Sequence, residues 1–186
     1  MEVLDAIYSR RAVRSYTDKQ VDRATVEKLI DAAIQAPSAM NSQPWAFVVV
    51  QDRKVLNSYS ARAKVHALST LGDNPHAQEW ESILSRPDYD IFHGAPTLII
   101  ICAKPDGLMP AEDCSLAAQN LLLAAQALGM GTCPIGFARM WLNRPEVKKE
   151  IGFPEDYSPV FPVVVGFPKE PAHQVERRPA EILFWK

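Results

Sequence analysis

Residues 111–137 read AEDCSLAAQNLLLAAQALGMGTCPIGF, a helical pattern that leads directly into a strand pattern. Apolar spacing predicts a helix from about Ala111 to Leu128, which Gly129 and Gly131 then end. Apolar residues cover nearly every face of this helix, as is typical of a helix buried in the centre of a protein or in an oligomer interface. The polar residues that interrupt it are Gln119, Asn120 and Gln126.

Strand and helix patterns alternate along the rest of the chain. Short segments rich in valine and isoleucine predict strands buried on both faces over Ala46–Gln51, Thr97–Ala103 and Val160–Gly166, with a fourth strand near Cys133–Phe137. Apolar residues at helical spacing predict further helices over 3–8, 26–34 and 55–64, the second capped by Asp22. Residues 66–89 have weak periodicity, so we expect a mobile helical or irregular excursion there. Helices between buried strands predict an α/β or α+β sandwich.

The composition is that of one globular domain spanning residues 1–186. Hydrophobic residues make up 47% of the chain and charged residues 23%, which excludes a disordered protein. The formal charge of -2 gives no bulk reason to bind nucleic acid or an anionic membrane. The longest apolar runs, Thr97–Ala103 and Pro159–Phe167, are too short to cross a bilayer, and residues 1–14 lack the apolar region of a signal peptide. These features predict a cytoplasmic protein.

The sequence offers no motif for a metal site or a nucleophile. We expect the three cysteines, which include no CxxC pair, to be buried and reduced: they are Cys102, Cys114 and Cys133. The four histidines form no spaced cluster with cysteines or carboxylates. Neither a GxGxxG nor a GxxxxGK[ST] loop is present, so neither a Rossmann domain nor a P-loop is predicted. No catalytic residue is assigned.

Three arginines follow the first predicted helix within five residues: Arg10, Arg11 and Arg14. Their guanidinium groups repel one another, and a bound anion would relieve that repulsion. Arginine is also suited to bidentate contact with phosphate. The alternative is a solvated basic turn whose side-chain stems lie on apolar surface.

A row of neutral polar residues follows the second predicted helix, in the segment APSAMNSQPW at 36–45. The amides of Asn41 and Gln43 donate and accept hydrogen bonds, and Ser38 adds a hydroxyl group. Such a row suits the edge of a heterocycle that alternates N–H and C=O groups, of which the flavin pyrimidine ring is one. The alternative is helix-terminus and turn chemistry.

These two segments, in this order, resemble the nitroreductase family of FMN-dependent oxidoreductases. Further segments match the family in sequence order: His93–Pro96, the long helix 113–131, the loop Gly131–Phe137, Val163–Pro168 and Arg177–Pro179. The resemblance covers nearly the whole chain apart from residues 66–89. It implies an α+β fold, an α-β-α sandwich with a central, mostly antiparallel sheet, assembled as an intertwined homodimer.

The resemblance also implies an FMN site. The residues it implies there are Arg10, Arg11, Ala12, Arg14, Ser38, Asn41, Gln43, Pro134, Ile135, Gly136, Arg177 and Arg178. In the family, the first-motif arginines hold the phosphate, with one of the two late arginines completing the cage. The Ser38–Gln43 segment would reach the flavin from the other subunit. Residues 134–136 would lie against the flavin ring, with the Gly136 N–H directed at N5.

The activity implied is ping-pong reduction of nitroaromatics, quinones or related electrophiles by NADH or NADPH. Relatives with other flavin chemistry leave dehalogenation, dehydrogenation and flavin cleavage open, and a non-catalytic flavin-binding protein is a further alternative. A phosphopeptide or nucleic-acid module is disfavoured by the charge of -2. Trp80 and Tyr89 would stack on a planar acceptor or belong to the local core. The apolar end Ile182–Trp185 is expected to pack across the dimer, or else within its own chain.

Overall fold

In the described part of the chain, residues 1–72 and 74–186 of this computed structural model, four strands form one antiparallel sheet and seven α-helices surround it. The strands are β1 (Trp45–Val50), β2 (Thr97–Ala103), β3 (Gly131–Pro134) and β4 (Ser158–Gly166), in the spatial order β1-β2-β4-β3. The helices are α1 (Val3–Ser9), α2 (Arg23–Ala33), α3 (Arg53–Ser69), α4 (Ala77–Leu84), α5 (Pro110–Ala127), α6 (Gly136–Leu142) and α7 (Pro145–Ile151).

Strand β2 shows why the sheet has a layer of helices on each face. All seven of its residues are buried, and successive side chains alternate between the two faces. Leu98 and Ile100 pack into a core with α3, α4, α6 and α7, whereas Ile99 and Ile101 pack into a second core with α2 and α5. The predicted α-β-α sandwich with an antiparallel sheet is therefore confirmed, as are the bounds of β2.

Helix α5 buries one face against the sheet rather than its whole surface. Two of its polar residues bind neighbouring helices: Asn120 donates to the carbonyl of Ala32 (3.2 Å), and Gln126 donates to the hydroxyl of Ser9 (3.0 Å). On the outer face the apolar side chain of Leu116 remains 47% exposed. Helix α5 thus retains exposed apolar surface in the folded single chain.

Several sequence predictions need correction. The strand expected at 133–137 lies at Gly131–Pro134, and Gly136 already begins α6, because the pairing with β4 ends at Pro134. Strand β1 is only partly buried because it lies at the sheet edge. Residues 66–89 contain the end of a longer α3 and all of α4, whose Leu84 is fully buried, while Asp73 lies outside the described residues.

Two local predictions agree with the structure. Asp22 caps α2 by accepting from the Thr25 N–H at 2.8 Å. The three thiols are buried and unpaired.

Candidate cofactor site

The arginine motif is fixed beside the sheet by main-chain hydrogen bonds. The Val13 N–H donates to the Thr132 carbonyl of β3, and the Thr17 N–H donates to the Phe167 carbonyl just after β4, both at 2.9 Å. Gly131 permits the close approach, since a Cβ there would lie 2.6 Å from Val13 Cγ2. Residues 10–14 consequently lie next to the end of β3.

An open cavity of about 520 Å³ lies among these arginines, and we call it the arginine cavity. Its lining residues are Arg10, Arg11, Ala12, Arg14, Cys133, Pro134, His173, Val175 and Arg177. The fold therefore brings Arg177, from the last segment of the chain, to the first-motif arginines. Arg178 does not line the cavity.

No carboxylate of the described residues neutralises the positive charge of the arginine cavity. Among the described residues, Arg10, Arg14 and Arg177 form no ion pair with a carboxylate. Burial lowers the pKa of Arg10, and the positive charges of Arg11 and Arg177 lower it further. These groups fit a phosphate, because a bound anion would offset both the desolvation and the repulsion.

Arg11 is held differently from its neighbours. Its Nη1 donates to the carbonyls of Tyr8 (2.8 Å) and Arg10 (2.7 Å), so part of the guanidinium group closes the end of α1. Its Nε is buried and has no hydrogen-bond partner in the described chain. One buried donor of Arg11 thus remains available, and a bound group would satisfy it.

A second cavity of about 480 Å³ adjoins the first, and we call it the aromatic cavity. Arg14, Cys133 and Pro134 border both cavities. The other lining residues are Ala67, Thr70, Leu71, Asn74, Trp80, Tyr89, Ile91, His93, Ile135, Gly136, Phe137 and Met140. Trp80 and Phe137 meet edge to face across it, with ring centroids 5.6 Å apart.

Residues 134–136 line the aromatic cavity, and Pro134 borders the arginine cavity as well. Ile135 is buried, and its N–H donates to the Pro162 carbonyl at 2.9 Å. The Gly136 N–H opens α6 and has no acceptor one turn earlier in that helix. No described atom lies within 4 Å of the place where a Gly136 Cβ would stand, and its φ is not positive. Glycine at this position therefore leaves space for something other than the chain.

The polar row 38–43 lies elsewhere. Ser38, Asn41 and Gln43 line neither of the two cavities. The Gln43 N–H donates to Ser38 Oγ (3.0 Å), and Gln43 Nε2 donates to Asn41 Oδ1 (3.1 Å). Asn41 and Gln43 are exposed and have positive φ angles of 55° and 47°. Such strain in a polar, exposed turn is typical of a functional segment.

Comparison with known proteins identifies the family of this chain. A sequence model described as the nitroreductase family matches residues 7–167. The chain belongs to the nitroreductase family. A nitroreductase with bound FMN from Bacteroides fragilis has the same fold, with a TM-score of 0.82 and 29% identity over 100% of this chain and 98% of that one.

Two other relatives show the range of this nitroreductase family. An Archaeoglobus fulgidus protein, provisionally named NADH dehydrogenase/NAD(P)H nitroreductase, is 33% identical over 174 residues, 91% of this chain and 87% of that protein. An iodotyrosine deiodinase from Haliscomenobacter hydrossis is 28% identical over 190 residues, 88% of this chain and 78% of that protein. The resemblance seen in the motifs is thus confirmed at the level of family and fold.

Sequence reasoning missed two residues of this nitroreductase-family site. His93 lines the aromatic cavity, and Asp113 binds the main chain of the 38–43 turn. For His93, the sequence signal was the pair Asp90 and Gly94, whose spacing suits a side-chain-capped turn. Within residues 1–72 and 74–186, no helix is long and apolar enough to span a bilayer, and no group of three potential ligand side chains could hold a metal ion.

Proposed function

We propose that this chain is an FMN-dependent oxidoreductase that uses NADH or NADPH to reduce nitroaromatic, quinone or related electrophilic small molecules by a ping-pong mechanism. The observation that carries the proposal is the junction of the two cavities at Arg14, Cys133 and Pro134. One cavity offers guanidinium groups without counter-charges, and the other offers apolar and aromatic walls. FMN, with a phosphate at one end and a planar ring at the other, suits both.

The residues that would hold FMN follow from that orientation. Arg10, Arg14 and Arg177 bind the phosphate. Arg11 contributes its remaining donor, and Ala12 offers only main-chain contacts. Arg14 borders both cavities, so it is the arginine best placed to stabilise negative charge on the ring.

The ring would lie in the aromatic cavity against residues 134–136. Pro134 and Ile135 provide an apolar surface, and Gly136 leaves both space and an N–H. Bound FMN supplies hydride transfer, and the chain supplies binding, orientation and electrostatics. A side-chain nucleophile is not required.

We further propose that the active form is an intertwined homodimer in which Ser38, Asn41 and Gln43 complete the cofactor site of the other copy. Their position outside the cavities of their own chain supports this. Exposed apolar side chains, which a second copy of the chain would bury, also support the dimer. They include Val3, Leu4, Ile7, Leu116, Leu128, Ile182, Leu183, Phe184 and Trp185. The unpaired thiols support a cytoplasmic location.

The first test is the absorbance spectrum of the purified protein reconstituted with FMN, followed by anaerobic addition of NADH or NADPH. We expect the absorbance bands of an oxidised flavin, which should bleach with a nicotinamide and return when a quinone is added. Bands that never bleach would contradict the NAD(P)H-dependent activity but leave flavin binding intact. A protein that does not retain FMN would contradict the cofactor assignment itself.

The second candidate function is reductive dehalogenation, which the relationship to an iodotyrosine deiodinase favours. It is distinguished by turnover of the reduced protein with 3-iodotyrosine compared with p-benzoquinone. Iodide release from 3-iodotyrosine, together with a slow reaction with p-benzoquinone, would favour dehalogenation over the reduction of nitroaromatics and quinones.

A further inference from the structure

His93 has a main-chain conformation that is uncommon among residues other than glycine. Its φ of 56° lies in the left-handed region, which non-glycine residues seldom adopt. Gly94 follows with a φ of 69°, so two successive residues turn the chain in this way. Strain of this kind persists only where the surrounding structure enforces it, and it is concentrated at functional sites.

The turn is held from both sides. Asp90 accepts from the Phe92 N–H through Oδ1 (2.9 Å) and from the Gly94 N–H through Oδ2 (2.8 Å). Arg53 Nη1 donates to the Gly94 carbonyl at 3.0 Å. Phe92 is also buried in the core, so the main chain on either side of His93 cannot move to relieve the strain.

The strained turn places the imidazole at the mouth of the site. His93 lines the aromatic cavity and also an adjoining cleft of about 830 Å³, and Arg14, Trp80 and Tyr89 border the same two spaces. The Tyr89 ring packs edge to face on the imidazole, with centroids 5.9 Å apart. His93 therefore lies where this cleft and the aromatic cavity adjoin.

The imidazole is an available hydrogen-bonding group in a mostly apolar cavity. No hydrogen bond joins its ring nitrogens to any described residue, whereas the Thr70 hydroxyl already donates to the His66 carbonyl (2.9 Å). The Asn74 amide oxygen likewise accepts from the His76 N–H (2.9 Å). The His93 imidazole is therefore free to bind a ligand, together with the Tyr89 hydroxyl and the Trp80 indole N–H, which likewise form no hydrogen bond with the described residues.

The electrostatic surroundings keep this imidazole neutral. Burial lowers its pKa, the positive charge of Arg14 lowers it further, and Asp90 opposes them. The neighbouring Tyr89 has its own pKa raised by burial and carries no charge at neutral pH. A neutral imidazole has one N–H donor and one acceptor nitrogen.

We propose that His93 binds the electron acceptor, donating a hydrogen bond from its imidazole N–H to a carbonyl oxygen of a quinone or an oxygen of a nitro group. The inference rests on the proposed function, because it needs the cofactor ring in the aromatic cavity. For a quinone, hydride comes from the reduced cofactor and the proton that completes the hydroquinone comes from water. His93 keeps its own proton throughout, and its role is to orient the acceptor and polarise the bond that is reduced.

Three variants separate this role from a structural one. His93→Asn keeps an N–H donor and a residue type that tolerates positive φ, His93→Phe keeps a ring without a donor, and His93→Gly removes both the ring and the strain. Each is loaded with FMN, reduced with dithionite without oxygen, and mixed with p-benzoquinone or with ferricyanide. Ferricyanide takes single electrons and needs no hydrogen bond inside the cavity, so it is the control acceptor.

We expect His93→Phe and His93→Gly to be reoxidised by p-benzoquinone about tenfold more slowly than the wild type, the loss of roughly one hydrogen bond. Reoxidation by ferricyanide and the dissociation constant for FMN should be unchanged. His93→Asn should recover most of the quinone rate. The melting temperature of His93→Asn should stay close to that of the wild type, because asparagine also adopts positive φ.

Three results would overturn the inference. Unchanged quinone rates in all variants would show that His93 does not contact the acceptor. An equal loss of reoxidation rate with p-benzoquinone and with ferricyanide, or weaker FMN binding, would show that His93 acts on the cofactor and not on the acceptor. A quinone rate in His93→Asn as low as that in His93→Phe would show that the N–H donor does not matter for the acceptor.

Failure of the proposed function has a different signature. Wild-type protein that binds FMN but is not bleached by NADH or NADPH contradicts that function alone, since dithionite still prepares the reduced protein for the acceptor comparison. Wild-type protein that binds no FMN contradicts both.

Discussion

The buried carboxylate of Asp113 accepts a hydrogen bond from the main-chain N–H of Ala39, with Oδ1 at 3.1 Å and Oδ2 at 3.3 Å. Asp113 lies in the first turn of α5, and Ala39 lies in the strained polar turn before β1. The contact joins residues 74 positions apart in sequence and fixes the 38–43 turn against the central helix. A buried acid thus positions a segment in which the side chains of Asn41 and Gln43 are exposed.

Replacing Asp113 should loosen this turn. Asp113→Leu leaves the Ala39 N–H without its partner, which is expected to lower the free energy of unfolding by about 1–3 kcal/mol. We also expect weaker FMN binding, measured by fluorescence titration. Asp113→Asn is the matched control, since its amide oxygen still accepts the bond. Leucine and asparagine variants with equal FMN affinity would argue against a positioning role.

The two late arginines should differ in their effect on the cofactor. Arg177 lines the arginine cavity and lowers the pKa of Arg10 through its charge, whereas Arg178 does not line it. Arg177→Ala is expected to weaken FMN binding by about tenfold, the loss of one charge-assisted hydrogen bond. Arg178→Ala should change the dissociation constant little. A larger loss of FMN affinity in Arg178→Ala than in Arg177→Ala would assign the phosphate contact to Arg178.

The first-motif arginines should be essential for retention of FMN. The double variant Arg10→Ala, Arg14→Ala should lose the cofactor on dialysis while keeping the far-ultraviolet circular dichroism of the wild type. Arg23→Ala is a suitable control, because Arg23 pairs with Glu27 on the exposed face of α2. Full FMN occupancy of the double variant would refute the phosphate assignment.

Two glycines should respond oppositely to alanine. Gly136→Ala adds a Cβ to open space, so the melting temperature should stay close to that of the wild type while FMN binding weakens. Gly131→Ala would place its Cβ 2.6 Å from Val13, so it should destabilise the fold itself. Thermal unfolding without FMN, combined with FMN titration, measures both effects. Unchanged FMN affinity in Gly136→Ala would show that the flavin ring does not lie against residue 136.

Mixing two defective variants should restore activity if the site lies between subunits. One chain carries Arg10→Ala with Arg14→Ala, and the other carries Asn41→Ala. In a mixed dimer one of the two sites receives intact arginines and an intact Asn41, so flavin binding should return in part. Verified subunit exchange without any recovery would favour a site built within one chain.

Acid should destabilise the protein partly through His93. Its pKa in the folded protein is lowered by burial and by Arg14, so folding favours the neutral imidazole. That stability is present above the unfolded pKa of about 6.5 and is lost as the pH falls through the folded pKa. Urea unfolding between pH 7.5 and 5 should show a steeper loss for the wild type than for His93→Asn. If the stability of both proteins fell in parallel with pH, the lowered pKa of His93 in the folded protein would be refuted.

Much of the fold could be predicted from local sequence. Strand β2 is a continuous apolar run, and both α2 and α5 carry clear periodicity with recognisable ends, so short-range preference and burial act in the same direction. Helices α6 and α7 were not predicted. Both are short, with seven residues each, and the start of α6 at Gly136 overlaps the strand expected near Cys133–Phe137. Pro145 at the first position of α7 is a start signal that was not used.

The sequence by itself determined the family, the α+β sandwich and the chemical inventory of the site, because motifs and apolar runs are local in the chain. Only the tertiary structure decided which of these residues meet. It brought Arg177 rather than Arg178 into the cavity of Arg10, and it turned His93 toward the aromatic cavity. These outcomes depend on how strands pair and how the chain packs over distances of many residues, and no short stretch of sequence encodes that placement.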